Sequence, residues 1–139
     1  MRQLSDIIFN QNPLILSKDA SVREACRLMA DRRAGSVIAI GPDGKLAGIF
    51  TGRDAVSRVI ARGRNADDTK ISEVMTLNPD TLAPEQTAID ALRLMWDGGF
   101  RHVPLVDGNK IVGCVSRGDF KGHELNVHDN ERELWEHMR

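Results

Sequence analysis

The sequence predicts an α+β fold in which two pseudo-symmetric β-α-β-β-α units pack sheet to sheet. Three observations lead there. The chain of 139 residues is 41% hydrophobic and 28% charged, the mixture of a folded globular protein rather than a disordered one. It also aligns with itself: Asn12-Pro13 recurs as Asn78-Pro79, and Ala25, Arg27, Leu28, Met29, Asp31 and Val37 recur as Ala91, Arg93, Leu94, Met95, Asp97 and Val103, all at a spacing of 66. One loop residue is then lost, so Lys45, Gly48, Thr51 and Asp54 correspond to Lys110, Gly113, Ser116 and Asp119 at a spacing of 65. Within each copy, short apolar runs flank a helical stripe. Two units of about sixty residues are too few for a propeller and too long for most solenoids, and they point to a tandem duplication.

The first unit, residues 1–62, opens with the lead-in Leu4-Ser5-Asp6-Ile7-Ile8, loosely matched by Ile71-Ser72-Glu73-Val74-Met75 ahead of the second copy. Leu14-Ile15-Leu16 reads as a short strand. Ser21-Val22-Arg23-Glu24 has the form of a capping box, in which hydroxyl and carboxylate satisfy orphan amides, so a helix starts there. Val22, Ala25, Cys26 and Met29 are its stripe, and it runs to about Arg33, before Ala34-Gly35. Val37 to Ile40 and Leu46 to Phe50 flank the turn Gly41-Pro42-Asp43-Gly44 and form a hairpin. A second helix follows from about Asp54 to Ala61. Residues 63–70 are polar and form a linker. The second unit, residues 71–121, repeats the order: Thr87-Ala88-Ile89-Asp90 is the cap, Ala88, Ala91, Leu92 and Met95 the stripe, Val103 to Val106 and Ile111 to Val115 the hairpin. Residues 122–139 are a tail, partly helical, with Leu134, Trp135 and Met138 as an apolar stripe expected to pack on the module or on a second subunit.

Composition excludes several classes. Lys plus Arg number 19 and Asp plus Glu 20, a net charge of −1, so no broad basic field exists for nucleic acid or an anionic membrane. The apolar runs fall far short of the ~20 residues of a membrane span, and the first residues lack a secretory h-region, so a cytoplasmic location is the expectation. Cys26 and Cys114 stand alone, without metal spacing, and read as buried thiols. His123, His128 and His137 lack the spacing of metal ligands. The chain has no Tyr, four Phe and two Trp, which argues against stacked-aromatic platforms.

Each hairpin ends in the same trio, Gly48-Ile49-Phe50-Thr51-Gly52-Arg53-Asp54 and Gly113-Cys114-Val115-Ser116-Arg117-Gly118-Asp119. A hydroxyl followed three residues on by a carboxylate is a helix cap. The same carboxylate offers two acceptors at the spacing of a ribose cis-diol, and the adjoining helix end favours phosphate.

Taken with the doubled β-α-β-β-α order and Phe100-Arg101-His102-Val103-Pro104-Leu105-Val106, these motifs resemble those of a tandem pair of CBS domains, the cystathionine β-synthase domain, over residues from about 4 to 121. The resemblance implies a regulatory module with two clefts between its units, able to hold AMP, ADP, ATP or a related adenosine compound such as NAD or S-adenosylmethionine. It implies that Asp54 and Asp119 grip ribose hydroxyls and that Thr51 and Ser116 bond sugar or phosphate. Backbone around Leu16, Ser17 and Lys18, with Val37 and Ile38, would line an adenine slot. Arg101, His102, Arg53 and Arg117 would neutralise phosphate. Ala34-Gly35-Ser36 stands where the second copy has Phe100-Arg101-His102, so the two clefts are not equivalent.

No nucleophile elbow, zincin, Walker or dinucleotide motif is present, and the chain is not read as an enzyme. The expected function is adenosine-ligand sensing by a homodimer that acts on a regulated protein the sequence does not identify. The alternative is a ligand-free dimerisation or docking module, in which both carboxylates only cap helices.

Overall fold

The computed structural model describes residues 1–138; Arg139, the last residue of the expected tail, lies outside the described residues. In chain order the elements are α1 (Leu4–Ile7), β1 (Ile15–Ser17), α2 (Val22–Arg32), β2 (Ser36–Ile40), β3 (Leu46–Thr51), α3 (Gly52–Asp54), β4 (Thr76–Leu77), α4 (Ala88–Gly98), β5 (His102–Asp107), β6 (Lys110–Ser116) and α5 (Gly122–His137). The expected second helix of the first copy is not plainly α-helical: α3 continues as a π-helical segment, Ala55–Ile60. The described chain forms two compact units. One holds Asn12–Asp80 with Gly108–Ile111, and the other Met1–Gln11, Thr81–Asp107 and the residues from Val112 onward.

In the first-repeat unit the strands lie in the order β1-β2-β3-β4. β1 runs parallel to β2, while β3 pairs antiparallel with β2 on one side and with β4 on the other. Inward residues Val37 and Phe50 are fully buried with Val22, Ala25 and Met29 of α2 and with Val59, Ile71, Val74 and Met75. In the second-repeat unit β5 and β6 pair, and the strand expected near Leu82 is reduced to a parallel bridge from Leu82 to Leu105. Its core gathers Leu4, Ile8, Ala88, Ala91, Leu92, Met95, Val103, Leu105, Val115 and Phe120.

The lead-ins are exchanged. Sequence order assigns residues 1–11 to the first copy, yet they build the second-repeat unit, while Ile71–Leu77 complete the first. The bonds are reciprocal. Leu4 and Ser5 amides donate to the Gln86 and Pro84 carbonyls, and Ile71 and Ser72 amides donate to Ala20 and Lys18. Gln3 bridges Thr87 as Lys70 bridges Ser21. Against the edge of β3 sits β4; against β6 the Gln11 side chain takes that place, its amide donating to the Cys114 carbonyl and accepting from the Cys114 amide, both at 2.7 Å. Each hairpin edge is thereby covered, the usual remedy for unpaired strand groups. Close approach explains two glycines: a Cβ on Gly48 would lie 2.6 Å from the Thr76 carbonyl oxygen, and one on Gly113 2.8 Å from Gln11 Oε1.

Both copied helices carry their caps. The Glu24 amide donates to Ser21 Oγ, and the Thr87–Asp90 box closes in both directions. Each ends in a left-handed residue at equivalent positions, Arg33 at φ 51° and Gly99 at φ 70°. The tail is more ordered than expected: α5 supplies the closing helix of the second-repeat unit. Its inner face carries Glu124, Leu125 and His128, and Leu134, Trp135 and Met138 stay exposed rather than packing on their own chain. The linker is held by the Asn65 side chain, which accepts from the Asp67 and Asp68 amides, and by an Arg23–Asp67 ion pair.

Candidate functional site

Thr51 ends β3, and the chain turns directly into α3. The Thr51 amide and hydroxyl both donate to Asp54 Oδ2, at 2.9 and 3.1 Å, and the Asp54 amide donates to Thr51 Oγ1 at 3.3 Å. At the end of β6 the pattern recurs. The Ser116 amide and hydroxyl donate to Asp119 Oδ2 at 2.8 and 3.3 Å. Both carboxylates therefore serve as caps, with one oxygen committed to the turn. Their settings differ, since Asp54 is buried and Asp119 exposed.

In each unit one backbone bond ties this turn to the start of the preceding strand: the Gly52 amide donates to the Gly35 carbonyl, and the Arg117 amide to the Arg101 carbonyl. Residues 34–36 and 100–102 are thus held beside their hairpin's end. In the second-repeat unit this gathers Ser116, Asp119, Arg101 and His102. His102 is half-buried, and burial pushes its imidazole below the ordinary histidine value. The neighbouring Arg101 cation adds to that shift, and the Asp119 carboxylate opposes it. Arg101 and Arg53 are exposed, free to swing toward an anion.

The adenine-slot candidates come together within the first-repeat unit. Leu16 and Ser17 lie opposite Ala39 and Ile40, and the Lys18 amide donates to the Ile40 carbonyl. Val37 faces the core with Phe50, whereas Ile38, one residue on, points to the opposite face of β2. Val37 is occupied by packing, and Ile38, on that other face, is fully buried as well.

Arg58 escaped the sequence reading. Its Nε stands 3.5 Å from Asp54 Oδ1, and its terminal nitrogen donates to the Val74 and Met75 carbonyls at 3.2 and 3.1 Å. The i, i+4 spacing of Asp54 and Arg58 is the signal that could have found it. In the second-repeat unit, Arg2 likewise reaches Glu124 through two bonds, at 2.7 and 3.1 Å, and Glu124 is fully buried. Among the described residues no cluster of His, Cys, Asp or Glu could hold a metal ion, and no helix is long and apolar enough to cross a membrane.

Comparison with known proteins identifies the family. The CBS domain model matches residues 4–61 and again 71–125. The CBS domain-containing protein CBSCBSPB2 of Arabidopsis thaliana is 38% identical over 102 residues, which are 73% of this chain and 19% of that protein, so the chain spans about a fifth of that relative's length. The CBS domain-containing protein YhcV of Bacillus subtilis is 32% identical over 80% of this chain and 78% of its own. A CBS domain protein from Pyrobaculum aerophilum, complexed with AMP, superimposes with a TM-score of 0.83 over 93% of this chain and 99% of that one, at 22% identity, a likeness of fold. With a matched domain in each repeat, the chain belongs to the CBS-domain family.

Proposed function

We propose that this chain is a cytoplasmic, non-catalytic regulatory module whose CBS units bind an adenosine compound, AMP, ADP, ATP or NAD, at their hydroxyl–carboxylate ends. The observation that carries the reading is the convergence of Ser116, Asp119, Arg101 and His102 on one turn: acceptors for a ribose diol beside a cation, Arg101, and a hydrogen-bonding imidazole for phosphate. The fold that the Pyrobaculum protein presents to AMP supports it. Thr51, Asp54 and Arg53 are the corresponding groups of the first-repeat unit, and Leu16, Ser17, Lys18 and Ile38 supply backbone and apolar surface for the base. Ligand binding would favour one arrangement of the protein over another and so change what a regulated partner meets.

The test is calorimetry and thermal shift with AMP, ADP, ATP, NAD and S-adenosylmethionine, with GMP as control. Ligand at 100 times its Kd adds about 2.7 kcal/mol. A selective response to adenosine compounds, weakened in their 2′-deoxy forms, is the expected result. No response to any of them would instead favour a docking module whose carboxylates only cap helices. We also propose a homodimer, supported by the exposed Leu134, Trp135 and Met138 of α5, and a mass of two chains by light scattering is expected.

A further inference from the structure

We propose that the two hydroxyl–carboxylate ends are unequal receivers: Arg58 holds the Asp54 carboxylate shut, and Asp119 is the one that takes a ribose diol. This rests on the adenosine reading above and specifies which end acts. A cis-diol donates two hydrogen bonds, so a carboxylate that receives it must have acceptor capacity left after its own turn is capped.

Asp54 has little. Oδ2 already accepts from the Thr51 amide and hydroxyl, and Oδ1 faces the Arg58 guanidinium. That guanidinium is itself anchored, because the Val74 and Met75 carbonyls both accept from it. A ligand would have to compete at Oδ1 with a guanidinium that stands 3.5 Å away and is held there by two carbonyls.

Asp119 is set differently. Oδ2 is used in the same way, but among the described residues Oδ1 accepts no hydrogen bond. Arg2 bonds the Asp119 backbone carbonyl at 3.2 Å, not the carboxylate, and spends its other bonds on Glu124. The reason for the difference lies in the backbone. In the first repeat the helix runs on from Asp54, which brings residue 58 back over the carboxylate one turn later. In the second the chain leaves the helical path at Phe120, at φ −90° and ψ 144°, and α5 restarts at Gly122. His123, the repeat counterpart of Arg58, is carried off on that new helix and is exposed. Where the first copy has Gly35, the second has Arg101, so the open carboxylate is also the one with a mobile cation beside it.

The experiment is titration calorimetry with AMP on the whole chain, with GMP as control. Wild type is expected to bind one AMP per chain, and Asp119→Ala to lose binding by at least tenfold. Arg58→Gln, which keeps an amide donor for one of the two carbonyls, is expected to raise the stoichiometry to two. Arg58→Lys keeps the charge but cannot face Asp54 and bond both carbonyls at once, and is expected to give the same rise; circular dichroism melting confirms that both variants fold. Two AMP per wild-type chain, or binding kept with Asp119→Ala, would overturn the inference while leaving the adenosine reading intact. One AMP per chain in folded Arg58→Gln and Arg58→Lys would overturn it as well. No binding of AMP to wild type or any variant would overturn the adenosine reading itself, and this inference with it.

Discussion

Replacing Arg2 by Ala should cost the protein a large share of its stability, because it removes the cation from a carboxylate that water does not reach. Glu124 is fully buried on α5, at the repeat position of Val59, which is also fully buried. A charge stands where the other copy keeps a core methyl pair. It is tolerated through Arg2, at 2.7 and 3.1 Å, and through the Lys121 amide, which donates to Oε1 at 2.7 Å. Breaking a buried pair from one side costs about 3–5 kcal/mol, and we take about 3 because Arg2 admits some water. For a chain of this size each kcal/mol is worth roughly 3–5 °C, so Arg2→Ala should melt about 10 °C lower. Calorimetric melting at pH 7 measures this. The double variant Arg2→Met/Glu124→Val, which restores the apolar slot, should return to within about 1 kcal/mol of wild type. The Arg2 hydrogen bond, then the Lys121 amide, hold Glu124 below its ordinary value of 4.5 against the pull of burial. A depressed carboxylate contributes stability that is present above its unfolded value and lost as pH falls through its folded one, so the difference between Arg2→Ala and wild type should shrink below about pH 4.5. A loss of less than about 2 °C at pH 7, or a difference that does not narrow in acid, would refute the argument.

Three further outcomes are expected. Gly48→Ala should destabilise more than Gly113→Ala in urea unfolding, because the first Cβ meets the Thr76 backbone carbonyl at 2.6 Å, whereas the second meets side chains, those of Gln11 and Ile8, at 2.8 and 2.9 Å. Arg33→Gly should stabilise the protein by up to about 1 kcal/mol in the same assay, since Arg33 caps α2 in the left-handed region that Gly99 occupies freely at the end of α4. His128, buried against Trp96 with its Nδ1 unbonded, is pushed below 6.5 first by burial and then by Arg132 and Arg117, with Asp129 and Glu131 opposing. Its contribution is therefore complete above pH 6.5 and fades as pH falls below that value, where the unfolded chain takes the proton first; His128→Leu should flatten the urea midpoint between pH 5.5 and 7 relative to wild type.

The repeat made most of the local structure readable. Ser21, Thr87 and Thr51 accept from the amide three residues on, and Asp119 accepts from the Ser116 amide, where caps were expected, because a short polar side chain and an amide three residues away need nothing from the rest of the molecule. The hairpins were readable for the same reason. What sequence did not disclose was partner choice. Leu4-Ser5-Asp6 and Ile71-Ser72-Glu73 match, which says the segments do the same work, but the work is done by backbone bonds, and these carry no mark of which copy they serve. Arg2–Glu124 and Gln11–Cys114 are hidden likewise, each joining residues more than a hundred apart. A trace existed: Glu124 falls on a core position of the repeat, and a charge there asks for a counter-ion. At the candidate site the carboxylates and hydroxyls were legible and Arg58 was not, because its reach depends on a helix that continues unbroken past Asp54 in one copy and stops at Phe120 in the other.

The exchanged lead-ins set an order of events during synthesis. Residues 12–80 can complete the first-repeat unit's sheet as soon as Thr76–Leu77 have left the ribosome. Leu4, Ile8 and Gln11 are made before any of that, yet their places beside Leu92, Val115 and Cys114 do not exist until roughly a hundred residues later. Leu4 and Ile8 are thus covered last, and a nascent chain stalled soon after Leu77 would display them although the first-repeat unit is already folded. Folding of the second-repeat unit closes a loop around the whole first one, so it is the slower, non-local step.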